Sequence, residues 1–145
     1  MKRIIFLLTS LAILCNACKE DDSTQTTDIT KSSWKIKSIA VDGYRSKTPN
    51  KDYHGNDISD NAYKLSFEND KTFNLYLGIN SVIGKYKTPC SGKITFKDCL
   101  TTEKCCDSDF DEHVVKTIPL ITSYQVLDDN LILKGKKCEI KLKKE

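Results

Sequence analysis

Cys105-Cys106-Asp107-Ser108-Asp109-Phe110-Asp111-Glu112-His113-Val114-Val115-Lys116-Thr117-Ile118-Pro119 is the stretch whose reading decides the fold. Phe110, Val114, Val115 and Ile118 recur at i, i+4, i+5 and i+8, which puts them on one side of a helix of about two to three turns. That side must be covered by another part of the chain. Ser108 and Asp111 have the spacing of a capping box, with aspartate a weaker partner than the usual Glu or Gln. The acids at 107, 109, 111 and 112 suit the positive end of the helix dipole. Pro119 stops the helix, which is therefore expected over about residues 108–117. On both sides of it the apolar period drops from 3.6 to 2, so one helix lies against an otherwise all-β domain.

Upstream, Trp34-Lys35-Ile36-Lys37 alternates and continues through Ile39 to Val41, a first strand from about Ser33 that Asp42-Gly43 ends. From Tyr44 to Asn61 the chain is polar, with Pro49 and Gly55 and no sustained period. We read this as a long loop, and a loop of that length in a small domain is either functional or a mobile connector. Tyr44, Tyr53 and His54 make it the candidate interaction loop. Tyr63, Leu65 and Phe67, then Phe73, Leu75 and Leu77, alternate on either side of a hairpin turn at Glu68-Asn69-Asp70-Lys71. Val82, Gly84 and Tyr86 give a fourth strand, and Ile94 and Phe96 a fifth after the Pro89-Cys90-Ser91-Gly92 turn. Beyond the helix come Tyr124 and Val126, then Leu131 and Leu133, then Cys138, Ile140 and Leu142. The expected fold is mainly β: a small antiparallel β-barrel or strongly curved sheet of about eight strands with one α-helix, which hides its edges by closing.

The first seventeen residues do not belong to that domain. Lys2 and Arg3 precede an apolar run from Ile4 to Leu14, far short of the roughly 20 residues a bilayer span needs. Ala17 supplies a small residue at a cleavage position and Cys18 follows it, an arrangement that resembles a bacterial lipoprotein signal with Cys18 as the lipidation site. Cys15 and Asn16 depart from the usual residues there; an ordinary secretory signal cut near Ala17 is the other reading. Lys19-Glu20-Asp21-Asp22 resembles the export signal that sends lipoproteins of Bacteroidota to the outer face of the outer membrane, with a plain acidic linker as its alternative. The chain thus divides into a signal at 1–17, a lipidated cysteine and polar tether at 18–32, and a β domain at 33–145. The membrane is the partner expected through the lipid.

The 145 residues carry 23 basic and 20 acidic groups, and Lys2 and Arg3 leave with the signal, so the mature domain is close to neutral. Nucleic-acid binding is not expected of such a balance. The late lysines at 134, 136, 137, 141, 143 and 144 mostly alternate with apolar residues and read as the solvated face and edge of strands.

Gly78-Ile79-Asn80, Gly84-Lys85-Tyr86, Ile94-Thr95-Phe96, Thr101 with Cys105 four residues on, the helix, Tyr124 and Asn130-Leu131-Ile132-Leu133 together resemble the META domain, a small β-rich fold of bacterial envelope lipoproteins. The resemblance covers about residues 33–143. It implies a lipocalin-like fold and an envelope location and brings no common catalytic residues. Ile79 stands where relatives carry a cysteine, so any bridge made by that cysteine is absent here.

Seven cysteines are present. With Cys15 in the signal and Cys18 lipidated, Cys90, Cys99, Cys105, Cys106 and Cys138 remain as disulfide candidates for an oxidising compartment. Sequence does not fix the pairing; the preferred arrangement joins Cys99 to Cys105 or Cys106 across the turn before the helix, and Cys138 to another of the set. There is no Cys-x-x-Cys pair for zinc. Asp107-x-Asp109-x-Asp111 fails as a calcium loop because Glu112 and Ile118 stand where Gly and Glu are needed. No metal site, no cofactor and no catalytic residue is therefore expected. His113 reads as an exposed helix residue, and neither it nor His54 neighbours a nucleophile in a recognisable setting. Two functions follow: a non-enzymatic envelope or protein-interaction module acting through its surface, or a carrier whose strands enclose a small apolar ligand among Trp34, Phe67, Phe73 and Tyr124.

Overall fold

The computed structural model describes residues 28–52, 54–104 and 107–145. Antiparallel strands wind into one curled sheet, built from β1 (Trp34–Val41), β2 (Tyr44–Lys47), β3 (Lys64–Phe67), β4 (Thr72–Tyr76), β5 (Ser81–Lys87), β6 (Thr95–Thr101), β7 (Ile121–Leu127), β8 (Asn130–Gly135) and β9 (Cys138–Lys144). Their order is β6-β5-β4-β3-β1-β9-β8-β7, with β2 off that path on β1. The sheet curls until the residues just before β6 meet β7: the Tyr124 N–H donates to the Gly92 carbonyl at 2.9 Å and the Ile94 N–H to Thr122 at 3.4 Å. The expected mainly β architecture with one α-helix is what the described residues adopt.

β1 is the spine. One edge pairs along its length with β9, while the other is shared, Trp34 and Lys35 pairing with β3 and Ser38 to Val41 with β2. The inward residues of β1 change parity along the strand, Trp34 and Ile36 first and then Ile39. A slip in register between Ile36 and Ser38 accounts for it, since one extra residue turns every later side chain over. Thr48 satisfies the carbonyls at the slip, its hydroxyl donating to Ile36 at 2.7 Å and its N–H to Lys37 at 3.0 Å.

The helix α1 runs over Asp109–Thr117, with Ser108 as N-cap and a complete capping box to Asp111. Phe110, Val114 and Ile118 are buried, and Val115 packs half-buried against the core. Pro119 does end the helix, but the chain continues as a 3-10 turn over Ile118–Leu120 that packs on β6.

Two expectations need correction. Residues 44–61 are not one loop: Tyr44–Lys47 forms β2 on β1, because the free edge of β1 beyond β3 offers backbone partners to residues that show no apolar period. The polar tether, expected through Ser32, ends earlier among the described residues. Ile29 is buried in a 3-10 turn over Ile29–Lys31, and its carbonyl accepts from the Trp34 indole N–H at 2.8 Å.

The interior is filled by rings. Phe67 meets Tyr86 edge-on at 4.8 Å, and Phe73 meets Phe96 edge-on at 4.9 Å. Gly84 lets Phe73 lie flat on β5: a Cβ there would come within 2.7 Å of the Phe73 ring and 2.8 Å of the Lys97 carbonyl. Gly84→Ala is therefore expected to destabilise the domain by about 1–3 kcal/mol through overpacking, read as a lower denaturant midpoint with an unchanged m value.

Candidate functional site

The polar side chains that sequence scatters over four segments converge at the N-terminus of α1. Asn80, in the turn between β4 and β5, is only 4% exposed. Its amide nitrogen donates to the Lys104 carbonyl at 2.9 Å and to Asp107 at 2.7 Å. Its oxygen accepts from the Lys104 N–H at 2.8 Å and the Thr102 hydroxyl at 2.9 Å. Every hydrogen-bonding position of that amide is thus used to hold the segment leading from β6 to the helix.

Asp111, 2% exposed, lies next to this turn. Its carboxylate accepts from the Gly78 and Ser108 N–H groups, each at 3.4 Å, and lies beside the Tyr63 hydroxyl, both oxygens 3.1 Å from where a Cβ on Gly78 would stand. Tyr63 sits in the left-handed region at φ 63° and meets Phe110 edge-on at 5.2 Å. Burial first, then the Asp111 charge and hydrogen bond, hold the Tyr63 phenol protonated well above the ordinary tyrosine range. The cavity beside the pair, lined by Lys51, Asp52, Tyr63, Gly78, Ile79, Ser108 and Asp111, has about 10 Å³, room for about one water. A carboxylate committed to two backbone donors, a phenol locked in its acid form and room for about one water make this a rivet between turn and helix.

The residues singled out from sequence do not come together. Tyr44 belongs to β2, and its ring stacks on His113 at 3.8 Å with 6° between planes. His113, which was expected to be exposed, is half-buried by that contact, and its Nδ1–H donates to the Asp109 carbonyl at 2.6 Å. His54 is exposed in a turn where Asp52 accepts from the His54 N–H at 2.9 Å and the Asn56 N–H at 2.8 Å. Tyr53, Cys18, Cys105 and Cys106 lie outside the described residues. Cys99 and Cys138 carry free thiols, which corrects the preferred pairing of each. Cys99 is half-buried on β6 and Cys138 lines the β1–β9 end of the core. Cys90 is the disulfide-bonded one of the three described cysteines. Burial pushes both free thiols up from the ordinary cysteine range. No cluster of three or more metal-binding side chains occurs among the described residues.

A second concavity, which sequence reasoning missed, lies at the other end of the 3-10 turn. It has about 220 Å³ and is lined by Val41, Asp42, Leu120, Lys136, Lys137 and Cys138. Its only sequence signal is Gly135 ahead of the two lysines, a glycine in a strand that marks close approach of another backbone.

A META domain family model matches residues 27–145. The chain belongs to the META domain family. Among solved structures, this META domain is similar to a DUF4847 family protein from Bacteroides vulgatus, with a TM-score of 0.56 and 13% identity over 80% of this chain and 94% of that one. It is also similar to a protein from Burkholderia xenovorans, with a TM-score of 0.60 and 16% identity over 88% and 97% of the two chains. Likeness at this identity extends to the fold. No curated protein matches the chain.

Asp111→Ala strands two N–H donors and is expected to cost about 3 kcal/mol or more, with Asp111→Asn in between, measured by denaturant unfolding. A second expectation concerns alkali. The raised folded pKa of Tyr63 contributes stability that is full below the unfolded value of 10.0 and is lost as pH climbs above it. Stability should therefore fall less steeply above pH 10 in Tyr63→Phe than in the wild type, the remaining slope coming partly from Tyr86, which burial shifts the same way.

Proposed function

We propose that this META domain is the folded part of a lipid-anchored outer-membrane protein displayed at the cell surface, where it acts without catalysis as an envelope or protein-interaction module. The observation that carries the reading is a contrast between inside and outside. Trp34 and Phe73 have no exposure, and Phe67 is buried against Tyr86 and Phe96, so the rings expected to line a calyx occupy its space instead. Tyr124 is only half-buried. The carrier reading loses its interior.

The outer face, by contrast, carries apolar side chains with no structural duty. Ile83 and Leu100 are cross-strand partners on β5 and β6, and Tyr76 stands diagonally from Ile83 across β4. Leu100 is 74% exposed, and Tyr76 and Ile83 about half. Below them Lys85, ion-paired to Asp98 at 3.3 Å, faces Lys97 directly, with Lys87 beyond. An apolar patch bordered by lysines is complementary to a partner protein that presents apolar side chains flanked by acids.

The anchor rests on sequence alone, on Lys2, Arg3, the apolar run to Leu14, and Ala17 before Cys18. Several acyl chains on Cys18 make attachment durable where one would be marginal, at about 0.8 kcal/mol per buried CH₂. In intact cells the wild-type chain should fractionate with the outer membrane, carry the added mass of the lipid and be degraded by external protease. Cys18→Ala should lose the lipid mass and leave the membrane. A Cys18→Ala chain that stays membrane-bound with unchanged mass rules the anchor out, and a wild-type chain that external protease does not reach rules out surface display.

A further inference from the structure

The concavity beside Gly135 has the build of a small-ligand site. Three turns of chain enclose it: the β1–β2 turn through Val41 and Asp42, the β8–β9 turn through Lys136 and Lys137, and the 3-10 turn that ends at Leu120. Close approach makes the hollow, because a Cβ on Gly135 would collide with the Leu120 carbonyl and come within 2.6 Å of the Cys138 sulfur. Its walls are apolar. Val41 and Cys138 pair across β1 and β9, and Leu120, 53% exposed, stands beside them with no packing duty of its own.

Charge at its rim is one-sided. Asp42 reaches Lys137 at 4.0 Å, while Lys136 makes no ion pair among the described residues. The thiol adds no negative charge, since burial keeps Cys138 protonated at neutral pH. An apolar hollow with one unmatched ammonium at its lip is complementary to one kind of molecule. We infer that this groove binds a small amphipathic carboxylate, its aliphatic or aromatic body against Val41, Leu120 and Cys138 and its acid group on the Lys136 ammonium. At roughly 30 Å³ per molecule in the liquid, the 220 Å³ would hold about seven waters, enough for a medium-length acyl chain or a single ring with its acid.

This goes beyond the anchored-module reading and does not depend on it. The groove lies at the Val41 end of β1, and the described chain begins near its Trp34 end, about 23 Å away at the usual strand rise. Binding is accordingly expected in a Cys18→Ala chain as well, which keeps a failed anchor and a failed groove distinguishable.

The test is ligand-observed saturation-transfer NMR on the purified full-length chain, with octanoate as probe and octanol and octylamine as neutral and cationic counterparts. Octanoate should show transfer several-fold stronger than either counterpart. Lys136→Glu and Leu120→Asp, both at exposed positions, should each reduce it at least fivefold. Lys143→Glu makes the same change of net charge at an exposed position of the Trp34 end of β1 and β9 and should leave it unaltered. Octanol equal to octanoate would mean apolar stickiness alone, and Lys143→Glu as damaging as Lys136→Glu would mean diffuse charge; either result overturns the inference, as does the absence of transfer from octanoate.

Discussion

A carboxylate that water scarcely touches holds this fold together at its most improbable joint. Asp111 sits in the first turn of the only α-helix among the described residues, accepts from the N–H of its own cap residue and from the Gly78 N–H in a turn between strands, and lies beside the Tyr63 phenol ahead of β3. Stripping water from an ion costs several kcal/mol unless hydrogen bonds replace it. The site therefore exists only when all three pieces of chain are in place. The Asn80 amide next to it does the same for the crossing from β6. Together they convert a short helix, too short to persist in isolation, into a fixed cover over the curled sheet.

The helix and most strands were legible because they obey a single period. Phe110, Val114 and Ile118 could be read as one face because a period of 3.6 follows a cap and ends at a proline there, and β3, β4, β5, β8 and β9 alternate without interruption. What escaped was set by neighbours. Tyr44–Lys47 shows no apolar alternation and became a strand because β1 leaves an edge open beyond β3. The parity change in β1 was read over as one alternation continuing through Ile39, because its cause, a register slip capped by Thr48, depends on residues far along the chain. Asp111 looked like a weak capping acid because the spacing shows the cap and hides the turn and phenol that bury it. The aromatic residues of the polar stretch looked like contact residues for want of partners, and Tyr44 had one in His113, on an element read separately.

Closure and filling are two consequences of one geometry. About eight tilted strands enclose a space just wide enough for side chains, or for one small ligand if the side chains are kept small. This chain places Trp34, Phe67, Phe73, Tyr86 and Phe96 in that space, and rings of that size fill it. Free cysteines follow the same logic. Cys99 and Cys138 sit in apolar surroundings that favour the neutral thiol, so they behave as small core residues, and an oxidising compartment would not by itself make them pair.

On the outside of the filled barrel, the exposed apolar features fall where local geometry forces them. On β6 the Asp98 backbone takes a positive φ of 51° and the register against β5 slips between Ile83 and Lys85. The extra residue restores Leu100 to the outer face opposite Ile83, where a regular strand would have turned it inward. At the other side Gly135 lets the 3-10 turn after the helix close so tightly on β8 that Leu120 is left standing at the surface and a hollow opens beside it. In both places a backbone irregularity, not the strand pattern, decides which apolar side chain meets solvent. The irregularities on a packed shell are where a binding surface can change while the core that supports it stays the same.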